Sequence, residues 1–110
     1  MLAIVSARLM QDDRQFDALV GRLREEGQEI AIYGAAPDNS GKAWIEKNDA
    51  YQVECPDGAT TPLVRAECLL SFLAIAGLDR EEAILLSPDP VDFSAAAVAG
   101  IAFQWEEVNV

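Results

Sequence analysis

The chain has no histidine. That absence removes the usual general base of acyl-transfer and hydrolytic sites and the commonest nitrogen ligand for a metal. Positive charge is scarce as well: 8 Lys and Arg stand against 19 Asp and Glu, a formal net charge of -11. Such a chain repels phosphate backbones and anionic lipid, so nucleic-acid binding through a basic face is not expected. Solubility accounts for most acidic surfaces, and a basic protein partner is the other reading of this charge. No apolar run approaches the roughly 18 residues of a membrane span. The opening residues Met1 to Val5 lack a basic flank and read as a strand instead of a signal peptide. Only Cys55 and Cys68 carry thiols, without close metal-type spacing, and each reads as a half-buried thiol. The expected compartment is the cytoplasm.

What is present is an ordinary globular balance: 110 residues, 51% hydrophobic and 25% charged, enough for a single core. The most informative stretch is Ala83 to Trp105, AILLSPDPVDFSAAAVAGIAFQW. Ala83-Ile84-Leu85-Leu86 suits a strand buried on both faces. Asp89 fits an N-cap and Pro90 the first helical position, where its missing N–H costs nothing. A short helix of small residues follows, Gly100 ends it, and Ile101-Ala102-Phe103 restarts a strand.

Earlier residues repeat this alternation. Leu2 to Val5 is a candidate central strand, followed by a loop from Ser6 to Gln11. Asp12 or Asp13 caps a helix with a Phe16, Leu19, Val20, Leu23 stripe, and Gly27 provides its exit. Glu29 to Tyr33 is a second strand, and a helix begins at Asn39 or Ser40. Tyr51 to Cys55 alternates like an edge strand, and Pro56-Asp57-Gly58 is a turn. Thr61-Pro62 opens the longest helix, apolar on most faces and so expected to be the most buried. Gly77 ends it, and Glu106 to Val110 forms a polar tail. Five strands alternating with four helices predict an α/β fold, a three-layer Rossmann-like sandwich with mostly parallel strands, in one domain spanning residues 1–110.

The stretch at Ser87 to Ile101 resembles the last motif of the haloacid dehalogenase (HAD) superfamily. That motif runs strand, Gly-Asp, two or three residues, Asp, an Ala-rich helix and Ala-Gly-hydrophobic. Here Ser87-Pro88 stands in place of Gly-Asp, Asp92 takes the second acidic position, and Ala95-Ala96 with Ala99-Gly100-Ile101 match the helix and its exit. The resemblance implies a HAD-like sandwich, without a cap because few residues separate the first strand from the first helix. It also implies four loops for phosphoryl transfer. On that alignment Ser6 stands in the nucleophile slot and Arg8 in the acid/base slot. Serine without a base is a weak nucleophile, and arginine holds its proton. Gly34 stands where a hydroxyl would hold the phosphoryl group, with Ser40 too far along. Arg65 is the cation nearest the family's lysine slot, although its first reading is a solvated helix residue. Pro88 replaces a metal-binding carboxylate, leaving Asp89 and Asp92 as weak metal candidates. Their alternative roles are a helix cap and a favourable first-turn charge.

The resemblance therefore implies a catalytically inactive HAD-like domain serving as a protein-binding or regulatory module, with no cofactor and an unidentified protein partner. Trp105, Glu106 and Glu107 are candidates for that contact, with a tryptophan simply packed at the strand end as the alternative. The sequence sets no oligomeric state. One rival is a magnesium-dependent HAD-type phosphohydrolase using Asp89 and Asp92, with Asp12 or Asp13 recruited. The other is a receiver-like signalling domain, which would need Asp57 as phosphoacceptor but lacks paired acids after strand one and a lysine after strand five.

Overall fold

The Leu2–Ser6 strand (β1) is buried along its whole length and forms the centre of a five-stranded sheet. The computed structural model describes residues 1–34, 39–53, 55 and 59–108. The remaining strands are Glu29–Tyr33 (β2), Tyr51–Val53 (β3), Ala83–Ser87 (β4) and Ala102–Trp105 (β5). All neighbouring pairs are parallel, in the order β3-β2-β1-β4-β5. Four helices connect them: Asp13–Glu25 (α1), Asn39–Lys47 (α2), Pro62–Ala76 (α3) and Pro90–Ala99 (α4). The expected three-layer, Rossmann-like architecture is present.

Alternate residues of β1 feed two cores. Ala3 and Val5 pack with α1 and α2 through Phe16, Leu19, Val20, Leu23 and Ile45. Leu2 and Ile4 pack with α3 and α4 through Leu69, Leu73, Ala95, Ala96 and Ala99. Both faces of the central strands are thus covered, which is why their sequences are continuous apolar runs without alternation. The chain runs outward from β1 to β2 and β3, then returns across the sheet to β4 beside β1. The strand order reverses between β1 and β4, and in doubly wound sheets the crevice outside the carboxyl ends at such a point is where ligands bind.

Local chemistry accounts for the helix boundaries. Asp12, and not Asp13, caps α1 by accepting from the Gln15 N–H at 3.0 Å. Thr61 caps α3 and Asp89 caps α4, each with proline at the first helical position. Gly77 and Gly100 close those helices in the left-handed conformation, at φ of 71° and 74°.

Three expectations need correction. The loop after β1 is a packed 3-10 helix, Ala7–Gln11, with Leu9 and Met10 buried against α1. Strand β3 spans Tyr51–Val53 and Cys55 lies outside it, although the strand is at the sheet edge as its alternation implied. The third correction concerns α3, which is not the most buried helix. Ala66, Leu69 and Leu73 face the core, whereas Leu63 is 62% and Ile75 87% exposed. One helix over a sheet can bury only one stripe, however apolar its other faces are. The turn at 56–58, including Asp57, lies outside the described residues, as does the side chain of Ser40.

Candidate functional site: a closed charge network at the switch point

Strands β1 and β4 end on serines, Ser6 and Ser87, both buried. Beyond Ser87 the chain turns through Pro88 into the Asp89 cap, which places Asp89 and, one turn later, Asp92 above the carboxyl end of β4. Helix α3 crosses the same face of the sheet and packs closely on α4. Its first turn delivers Arg65 to the two acids.

Arg65 Nη1 donates to Asp89 Oδ2 at 2.8 Å and to Asp92 Oδ1 at 2.9 Å. Its Nε donates to the Ala59 carbonyl at 2.8 Å. The other Asp92 oxygen accepts from Ser87 Oγ at 2.6 Å, and Ser87 Oγ in turn accepts from the Asp89 N–H at 3.1 Å. Asp89 Oδ1 takes the Val91 N–H at 2.9 Å. From the first loop, Arg8 Nη1 lies 3.5 Å from Asp89 Oδ2, on a side chain that is largely in solvent. Two arginines therefore face two aspartates, and the network closes on itself.

Burial makes this more than a surface ion pair. Asp92 is only 2% exposed and Ser87 fully enclosed. A carboxylate at that depth must be paired and hydrogen-bonded to be tolerated, and each Asp92 oxygen has a donor. Burial pushes the Asp89 carboxyl upward, but the Arg65 hydrogen bond, the Val91 N–H and the charges of Arg65 and Arg8 outweigh it. Its pKa is held below the ordinary carboxylate value. Burial opposes the charge on Arg65 too, and Asp89 and Asp92 overcome it, so its pKa rises.

The described residues singled out by the sequence now have a place. Ser6 Oγ caps the following 3-10 helix by accepting from the Arg8 N–H at 3.3 Å. Gly34 follows β2 with φ of 93°, and its N–H donates to Val53 O at 3.1 Å. Asp89 is the expected N-cap, but Asp92 is a buried acceptor as well as a first-turn charge. The reading of Arg65 as a solvated helix residue is corrected: it is the cation that joins α3 to α4. Trp105 is half-exposed in a cluster with Phe93 and Phe103, stacked on Phe93 at 5.6 Å and edge-on to Phe103 at 5.0 Å. Glu106 is held by Arg22 at 3.0 Å and by Gln104, and the Glu107 carbonyl accepts from Gln15. The acidic tail is thus folded back on α1, with the Glu106 side chain held there, while Trp105 and the Glu107 side chain stay exposed.

Two features have contacts that the sequence does not signal. Ser87 is legible only as a hydroxyl at a strand end five residues before an acid. Tyr33 ends β2 with its hydroxyl 3.8 Å from Cys55 Sγ. Burial, then Asp92 and Cys55, push its pKa far above the ordinary phenol value.

Magnesium prefers several oxygen ligands free to turn toward it. Asp89 and Asp92 are both committed to Arg65, and no group of three His, Cys, Asp or Glu is placed to hold a metal among the described residues. The residues here do not fit such an ion. Ser87 is enclosed, and the Ser6 hydroxyl accepts from the Arg8 N–H. A cavity of about 300 Å³ opens at the opposite end of the sheet, lined by residues including Arg24, Asn48 and Tyr51. No helix among the described residues is long and apolar enough to cross a membrane. No protein-family model, characterised protein or solved structure matches this chain.

Proposed function

We propose that this protein is a catalytically inactive, HAD-like α/β domain that acts as a protein-binding module. One observation carries the reading: the Arg65 guanidinium lies within 2.9 Å of both Asp89 and Asp92, the two acids left for a metal by the motif comparison. A fixed organic cation does there the neutralising work that a metal would do in an enzyme. Arg65 also stands on the helix after the third strand, where the family carries a lysine, which supports the HAD-like alignment. With Ser6 and Arg8 in the first loop, the rim keeps the geometry of a phosphoryl-transfer fold without its nucleophile or proton donor.

The binding half of the reading rests on the aromatic face of α4 and β5. Phe93 on α4 and Trp105 on the edge strand β5 each expose about half of their surface, and large rings are typical interface anchors. Hydrolysis of an aryl phosphate with millimolar magnesium tests the inactive assignment. Background rates, together with a melting temperature unmoved by magnesium, are expected. Turnover that disappears in Asp92→Asn overturns it. For the contact surface, Phe93→Ser with Trp105→Ser abolishes capture of a protein partner while leaving the melting temperature nearly unchanged; retention of the same partner removes that surface from the proposal.

A further inference from the structure

The Cys55 and Cys68 sulfurs lie 3.5 Å apart, although 13 residues separate them in sequence. Cys55 sits just beyond β3, and Cys68 lies in the second turn of α3. Both are free thiols and both are partly open to solvent. The sulfurs are already in van der Waals contact, and a covalent bond would bring them to roughly 2.0 Å. Cys68 also lies three residues beyond Arg65, on the same side of the helix. The chain between the two cysteines includes Ala59, whose carbonyl receives Arg65 Nε.

We propose that Cys55 and Cys68 form a redox-active dithiol, oxidised to an intramolecular disulfide by a small-molecule disulfide such as oxidised glutathione. The Cys55 thiolate attacks one sulfur of the oxidant, forming a mixed disulfide and releasing one glutathione thiolate, which takes up a proton. Cys68 then loses its proton to solvent, and its sulfur attacks Cys55 Sγ, forming the intramolecular bond and expelling the second glutathione. The protein gives up two electrons and two protons, and the oxidant becomes two thiols. Burial, reinforced by the neighbouring Cys55, pushes the Cys68 thiol pKa up, which suits it to the resolving role. In the oxidised form the chain after β3 is tied to α3, the helix that carries Arg65.

The test equilibrates the full chain with defined mixtures of reduced and oxidised glutathione, traps free thiols in acid, and maps the peptides by mass. The expected product is monomeric protein with residues 55 and 68 linked, two hydrogens lighter, regenerated by dithiothreitol and melting at a higher temperature than the reduced form. Cys68→Ser is expected to stop at a stable glutathione adduct on Cys55. Two persistent free thiols in the wild type at high oxidant overturn the proposal. So do glutathione adducts without the internal link, or disulfides only between chains.

Discussion

The two helical layers of this molecule share an apolar floor against the sheet but differ in what surrounds it. On the α1/α2 side the arrangement is conventional: Phe16, Leu19, Val20 and Leu23 point inward, while Asp13, Arg14, Asp17, Arg22 and Arg24 cover the outside. On the α3/α4 side, polar groups are enclosed beside the apolar floor and several apolar groups stand exposed. Asp92 is buried between Arg65 and Ser87, whereas Leu63, Val64, Ile75, Phe93 and Val98 are exposed. Among the described residues, no large exposed apolar side chain belongs to α1 or α2. A buried charge is expensive and an exposed apolar surface gains nothing from folding. The α3/α4 layer has both, and its polar interior sits at the switch point of the sheet.

The largest effect should come from what the two layers share, which is a dry floor against the sheet. Leu69→Ala removes a fully buried side chain from the α3 floor and is expected to cost about 2–5 kcal/mol, read by chemical denaturation. A loss below about 1 kcal/mol would mean that α3 is not seated on the sheet, and the contrast between layers would dissolve.

Next in size is the lock itself. Arg65→Met keeps much of the apolar stem but strands Asp92 without its cation, for an expected loss of roughly 3 kcal/mol. Adding Asp92→Asn should recover part of that loss, because a neutral amide oxygen still accepts the Ser87 proton. Full additivity of the two substitutions in a double-mutant cycle would show that they do not act as one network.

The lock was the part least visible in the sequence. Strand β1, the three caps at Asp12, Thr61 and Asp89, and the exits at Gly77 and Gly100 are local signals, each decided within a few residues, and together they specify an alternating α/β fold. Arg65 meets partners 24 and 27 positions away, and only the crossing of α3 over the sheet makes that meeting possible. The same holds for Cys55 and Cys68, which approach across a change of element. In α3 the reason is different. Its composition is apolar on most sides, so no periodicity remains to say which stripe is buried, and only docking on the sheet and α4 decides it.

A smaller effect separates Asp89 from Asp92. Because the folded pKa of Asp89 is held below its ordinary value, its contribution is complete above the unfolded carboxylate pKa of about 3.9 and is lost as pH falls through the lower, folded value. Asp89→Asn retains a good cap and should cost about 1 kcal/mol at neutral pH. Its stability should also fall less steeply than that of the wild type below about pH 4. Parallel acid limbs in unfolding curves of the two proteins would assign the acid sensitivity to other carboxylates.

The smallest effect tests the outward face of the unusual layer. Ile75 is 87% exposed near the end of α3, so nearly the same apolar surface meets water before and after folding. Burial energy scales with the area removed from water, and here almost none is removed. Glutamine is at least as good a helix former as isoleucine, so Ile75→Gln should shift stability by no more than about 0.5 kcal/mol, with any change toward a gain. A loss of more than about 1 kcal/mol, checked by the denaturation midpoint at constant m-value, would mean that Ile75 is covered in solution. If that loss appeared only at high protein concentration, the covering surface would be a second copy of the chain, and the apolar exterior of α3 would itself be an interface.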